Sequence, residues 1–164
     1  LFAIDVGYGQ LAWNIRSDER VVVMERTNIR YVTPEDLGEP LDLSVIDVSF
    51  IGLEIVLPTI KTLLKPGMGQ VLCLIKPQFE AGKGKVGKKG VVREPEIHRE
   101  VLEAFVENAH AAGMNVHDLT FSQIKGPEGN IEYLVYIEKS NEPFKEESVN
   151  IHEVVEAAHG QLDK

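Results

Sequence analysis

Cysteine is almost absent, with one in 164 residues, and positive charge is scarce, since 17 Lys and Arg stand against 26 Asp and Glu for a formal charge of −9. A lone Cys73 excludes an internal disulfide framework. Its place in the apolar run Val71-Leu72-Cys73-Leu74-Ile75 predicts a buried structural thiol in a reducing compartment. The excess of acid repels bulk phosphate, so any contact with nucleic acid has to come from a local basic patch. No apolar stretch reaches the roughly 20 residues that a membrane-spanning helix needs, and no charged-then-apolar leader opens the sequence. A soluble, cytoplasmic protein without a membrane partner is expected. Internal repeats and low-complexity segments are also missing. The five histidines, His98, His110, His117, His152 and His159, show no ligand spacing with cysteines or acids, so no metal is expected.

What is present, 43% hydrophobic and 26% charged residues, suits one globular domain with a real core. Strand-like runs occur at Leu1 to Val6, Val21 to Met24, Leu43 to Val48, Val71 to Ile75, Val116 to Phe121 and Ile131 to Ile137. Helical patterns fill Gln10 to Arg16, Ile51 to Leu64 and Ile97 to Ala112, the last two closed by Lys65-Pro66-Gly67 and Gly113. Alternating strands and helices predict an α/β fold with a mostly parallel sheet and helices on both faces, and the continuous run Val71 to Ile75 suggests burial on both sides. Only residues 124–130 separate the last two strands, too few for a helical crossover, so the final strand should be antiparallel. Residues 140–164 turn polar and acidic and read as a tail docked lightly on the domain, with a short helix carrying Ile151, Val154, Val155 and Ala158. The chain starts directly in a strand pattern, and a piece of a longer protein is expected.

Open α/β sheets bind ligands at the carboxyl edge of their strands. Asp5, Glu25 and Asp47 each close or nearly close an apolar run and stand 20 and 22 residues apart, about one strand-helix unit each. A single acid at a strand end commonly just meets solvent, whereas three in register point to a ligand edge. Asp5-Val6-Gly7-Tyr8-Gly9-Gln10-Leu11-Ala12 follows the dinucleotide pattern, with Glu25 spaced to hold ribose hydroxyls. The same turn serves nicotinamide dinucleotides and S-adenosylmethionine, and both stay open on these residues. Gly82 to Lys89 imitates a phosphate loop, but Lys89 stands where a Ser or Thr hydroxyl would hold magnesium, which argues against nucleotide hydrolysis. Lys76, Lys83, Lys85, Lys88, Lys89 and Arg93 face Glu80 as the one acid between 76 and 93, so this loop is the local patch for an anionic polymer. Lys76 ends the most apolar strand. Reversal of the last strand brings Glu132 to the same edge, so Asp47, Lys76 and Glu132 are expected to converge. Phe79, beside Lys76, is the best aromatic candidate for substrate contact.

Together these segments resemble the TlyA/hemolysin-like RNA 2′-O-methyltransferases, whose catalytic domain is of the FtsJ type. The resemblance is carried by Ala3 to Leu11, Val23 to Asn28, Ile46 to Ile51, Leu74 to Gly82 and Gly126 to Glu132, within a domain over 1–139. It implies a Rossmann-like S-adenosylmethionine methyltransferase sheet and methyl transfer to a ribose 2′-hydroxyl of ribosomal RNA. It also implies a Lys-Asp-Lys-Glu tetrad of which Asp47, Lys76 and Glu132 are the last three members. In such proteins an RNA-binding domain, the tetrad's first lysine and the first strand with the main glycine loop precede the segment aligned with Leu1, so the first strand is expected to be missing here. That alignment demotes Gly7 and Gly9. It gives Asp5, with Val6, to the cofactor ribose, Glu25 or Arg26 to the adenine region, and Asp47 to the methionine end as well as to catalysis. Two carboxylates favour the charged lysine and oppose its use as a base, whereas a second cation opposes them. The 164 residues alone are therefore expected to be inactive. Two other readings are an NAD-binding oxidoreductase domain built on Gly7, Gly9, Ala12 and Glu25, and a membrane-active hemolysin. The strands lack the lipid-facing alternation that the second would need.

Overall fold

The computed structural model describes residues 1–139 and 149–163. In chain order the elements are β1 (Phe2–Ile4), α1 (Trp13–Arg16), β2 (Val22–Met24), α2 (Pro34–Leu37), β3 (Leu43–Ile46), α3 (Leu53–Leu63), β4 (Gly69–Ile75), α4 (Pro77–Glu80), α5 (Pro95–Ala111), β5 (Met114–Phe121), β6 (Tyr133–Lys139) and α6 (Ile151–Leu162). The expected α/β class and the reversed last strand both hold. Two regular helices show why. In α3, Leu53, Val56, Leu57, Ile60 and Leu63 recur on one face and are all buried. In α5, Pro95 presets the first turn, and Gly113, at φ 78°, takes the left-handed position just beyond the helix.

The strands form two sheets rather than the single one expected. β1 and β2 pair in parallel, and a four-stranded sheet runs in the order β3-β4-β6-β5, with β3 and β4 parallel and β6 antiparallel to both its neighbours. β1 and β3 are not hydrogen-bonded to each other. Between them lies a groove of about 870 Å³, lined by Phe2 to Asp5, Leu43 to Val48 and the α3 side chains Val56, Ile60 and Leu63.

Burial of β4 also departs from expectation. Val71, Cys73 and Ile75 are fully buried, but Leu72 is 40% exposed and its neighbour in register, Val45, 69%. The continuous apolar run is therefore covered on one face, where it shares a core with α3, α5 and α6, and among the described residues Val45 and Leu72 stay open on the other. Cys73 is a buried thiol, which desolvation pushes up to about 12.

Of the acidic tail, residues 140–148 and 164 lie outside the described residues. The rest forms α6, whose Val155 and Ala158 are completely buried among the core residues. Among the described residues no helix is long and apolar enough to cross a membrane.

Candidate functional site

The carboxyl ends of β3 and β4 bring Asp47 and Lys76 together. The parallel register pairs Ile46 with Cys73, so the two chains leave the sheet side by side. Lys76 Nζ forms an ion pair with Asp47 and donates to Ser49 Oγ at 3.3 Å. The lysine side chain is only 13% exposed and the aspartate 62%, so the ammonium is sheltered while its partner faces outward.

Glu132 reaches the same edge from the other direction. The antiparallel register ends with Ile75 opposite Tyr133, which sets Lys76 and Glu132 as the next pair of positions. Glu132 is 8% exposed, and its Oε2 accepts a bond from Gln78 Nε2 at 2.8 Å. A Cβ at Gly126 would come within 2.5 Å of that same oxygen, so any other residue there would displace the carboxylate.

The turns after β3 and β4 are tied to each other three times over. Besides the Lys76 contacts, Glu80 accepts the Leu53 N–H at 3.2 Å and so satisfies one of the open donors at the start of α3, where the N-cap Gly52 has no side chain to do it. Desolvation pushes the Glu80 carboxyl up to about 7, with the Leu53 bond opposing and Glu54 adding to the rise. The rings of Phe50 and Phe79 meet edge-on at 4.6 Å. Phe50 is 89% exposed and holds the uncommon φ of 63°.

The remaining candidates spread around this centre. Asp5, Glu25 and Asp47 all line the groove. Asp5 Oδ1 accepts the Gly7 N–H at 3.0 Å, which folds the turn after β1. Val6 is exposed. Both oxygens of Glu25 are engaged within the protein, Oε1 by an ion pair with Arg16 and Oε2 by the Gly9 N–H at 3.2 Å. Arg26, at φ 50°, lays its guanidinium over the Tyr8 ring at 4.5 Å. The turn bearing Gly7 and Gly9 leads into the four-residue α1, which lacks the long helix that a dinucleotide fingerprint needs.

Lys83, Lys88, Lys89 and Arg93 are exposed, whereas Lys85 is held by Glu100 at 2.5 Å. The far end of the loop is anchored, with Val91 and Val92 buried and Val92 N donating to Asn130 Oδ1 at 3.1 Å. Among the described residues there is no group of three or more His, Cys, Asp or Glu that could hold a metal ion.

Residue-by-residue reading of the sequence singled out Asp47, Lys76, Glu132 and Phe79, but not Ser49, Gln78 or the capping role of Glu80. The signal for the last two is their position, two and four residues beyond the strand-ending lysine, where a tight turn folds side chains back over the edge. The donor set at the edge also suits a nucleoside sulfonium. Exposed carboxylates at Asp5 and Asp47 match a ribose diol and a cationic sulfur, and they stand over a groove with apolar walls.

Comparison with known proteins identifies the family. The FtsJ-like methyltransferase family matches residues 1–139. YqxC of Bacillus subtilis, provisionally described as an rRNA methyltransferase, is 48% identical over 165 residues, covering 98% of this chain and 58% of its own. The 16S/23S rRNA (cytidine-2′-O)-methyltransferase TlyA of Mycobacterium tuberculosis is 45% identical over 135 residues, 82% of this chain and 50% of its own. A solved structure from Streptococcus thermophilus, provisionally described as a hemolysin, superimposes with a TM-score of 0.92 at 45% identity over 99% of this chain and 58% of its own. The chain thus spans between half and three-fifths of the length of these relatives.

Proposed function

The chain belongs to the FtsJ-like methyltransferase family, and from that premise we propose that it is the catalytic part of a cytoplasmic enzyme that methylates a ribose 2′-hydroxyl of ribosomal RNA. The observation that carries the proposal is the sheltered Lys76–Asp47 pair at the ends of adjacent strands, with Glu132 opposite in register. S-adenosylmethionine would supply an electrophilic methyl group on a sulfonium. Asp5 with Val6 suits its ribose, Arg26 and Tyr8 its adenine side, and Asp47 its cationic end. Glu25 acts at one remove here, by fixing Arg16 and the Gly9 amide.

A ribose hydroxyl is a weak nucleophile, so the protein's work is alignment and proton removal. Two of the three Lys76 donors are spent on Asp47 and Ser49, which aims the amine. Nζ takes the hydroxyl proton as the neutral amine, whose two N–H groups stay with Asp47 and Ser49 while its lone pair faces the ribose oxygen, and the carboxylates of Asp47 and Glu132 stabilise the ammonium that results. Lys83, Lys88, Lys89 and Arg93 meet RNA phosphates, and Phe79 with Phe50 lies beside the reacting end. Resemblance and coverage together support a longer protein with an upstream RNA-binding part. Among the described residues, the groove between β1 and β3 has the two free strand edges that one further parallel strand requires.

The test is to incubate the full-length protein with ribosomal subunits and a labelled methyl donor and then to map the label. Wild type should place it on a ribose oxygen, and Lys76→Ala should lower the rate by at least about a hundredfold. Label on a base, or undiminished transfer by Lys76→Ala, would overturn the proposal.

A further inference from the structure

We propose that Gln78 is a positioning residue for Glu132, holding its carboxylate in place opposite Lys76 in the strand register; the proposal rests on the methyl-transfer reading above. Four observations converge on the amide. Its Nε2 donates to Glu132 Oε2 at 2.8 Å, a bond joining residues 54 apart in sequence. The carboxylate lies against Gly126, where an added Cβ would come within 2.5 Å of the same oxygen and push it away. The Gly126 loop is itself fixed, since Gly126 N donates to Asn130 O at 2.7 Å and Asn130 Nδ2 to Pro127 O at 3.0 Å. Finally, Gln78 Oε1 is buried and has no hydrogen-bond partner among the described residues.

The Glu132 carboxylate fixes the amide's orientation. Flipping the group would set Oε1 against the carboxylate and lose the one bond it makes, so Nε2 must face Glu132. The choice of an amide also has an electrostatic consequence. A lysine or arginine at 78 would hold Glu132 equally well but would cancel its charge. The neutral donor pins one oxygen without adding a charge between Glu132 and Lys76, its neighbour in register. Pro77 contributes by fixing the backbone between lysine and glutamine, so a single rigid turn carries both the amine and the clamp on its counter-ion.

The proposal distinguishes positioning from packing through two variants of the full-length protein. Gln78→Met keeps length and bulk but removes the donor. It should lower kcat about tenfold while KM for RNA and for the methyl donor moves by less than about twofold, the loss typical of a partner that orients a reacting group. Gln78→Glu puts a second carboxylate against the first. Its activity relative to wild type should be lowest at pH 8 and should climb as pH falls toward 6, because the introduced carboxyl, once protonated, regains an O–H to donate. A relative activity flat across that range, or a defect confined to KM, would overturn the assignment.

A readout independent of turnover accompanies these. The Gln78 side-chain amide signal in nitrogen-15 spectra, identified by its loss in Gln78→Met, should shift in Glu132→Gln. An unmoved signal would refute the contact itself. A wild type that transfers no methyl group would instead refute the reading of the reaction, and the amide signal would still decide whether Gln78 holds Glu132.

Discussion

Glu80 shows how much one side chain carries at this edge. It caps α3 from outside the helix through the Leu53 N–H and so locks the turn bearing Lys76 to the turn bearing Asp47 and Ser49. Its carboxyl sits at about 7, against an ordinary 4.5, chiefly because it is desolvated. An acid whose pKa is higher folded than unfolded retains its proton only in the folded state over that interval. The contribution of Glu80 to stability is therefore largest below about 4.5 and declines as pH rises through about 7. An amide in its place would keep the acceptor for Leu53 without the titration. Glu80→Gln should abolish this decline and gain on the order of 1–3 kcal/mol over wild type at pH 8, after allowing for solvent screening. Urea midpoints measured at intervals from pH 4.5 to 8 check this, and a variant that declines as wild type does would disprove the assignment. Asp47 and Lys76 could be found from sequence because each directly ends a strand, where direction and edge follow from the pattern. Ser49, Gln78 and Glu80 lie in turns, whose side-chain directions depend on φ and ψ values, such as that of Phe50, which no periodicity encodes.

At the scale of elements, the reversal of β6 was readable because the length of a connection limits which crossover it can make. Helix α6 was readable as a helix from the spacing of its apolar residues, but not as a part of the core. Val155 and Ala158 have no exposed surface, and His159 on the same helix reaches His98, with Nε2 at 3.1 Å from Nδ1. His98 itself is fully buried. Its Nε2 lies 2.9 Å from Val92 O, which can only accept, so that nitrogen carries the proton and Nδ1 accepts from Tyr133 Oη at 2.8 Å. Burial lowers the pKa of His98 and keeps it neutral in this role. A helix built into the core in this way should be felt by the whole domain. Val155→Ala should cost about 1–3 kcal/mol in a single cooperative transition followed by both fluorescence and circular dichroism. An early, separate loss of helical signal would show α6 to be an independent appendage.

For the whole molecule, the gap between β1 and β3 is the feature that sequence patterning had no means to display. Runs of apolar residues identify strands but not which strand lies beside which, so six runs read equally well as one sheet or two. Resemblance raised the expectation of a further strand, and among the described residues β1 and β3 each have one unpaired edge, opposite a parallel partner, beside a groove floored by Val56, Ile60 and Leu63. An exposed edge carries open N–H and C=O groups and invites an additional strand. If one from the longer protein fills the groove, the amides on the free edges of β1 and β3 change partner from water to backbone. Hydrogen exchange at alternate positions within Phe2 to Ile4 and Leu43 to Ile46 should then be fast in the 164-residue chain and slower by at least about a hundredfold in the full-length protein. Amides of β6, which has a neighbour on each side in the described residues, provide the internal control and should change far less. Equal protection of the β1 and β3 edges in the two proteins would mean that the groove stays open and that the added length folds elsewhere. The acids Asp5 and Asp47 would then flank a cleft open along its whole length, and the proposed cofactor would have to bind without a strand between them.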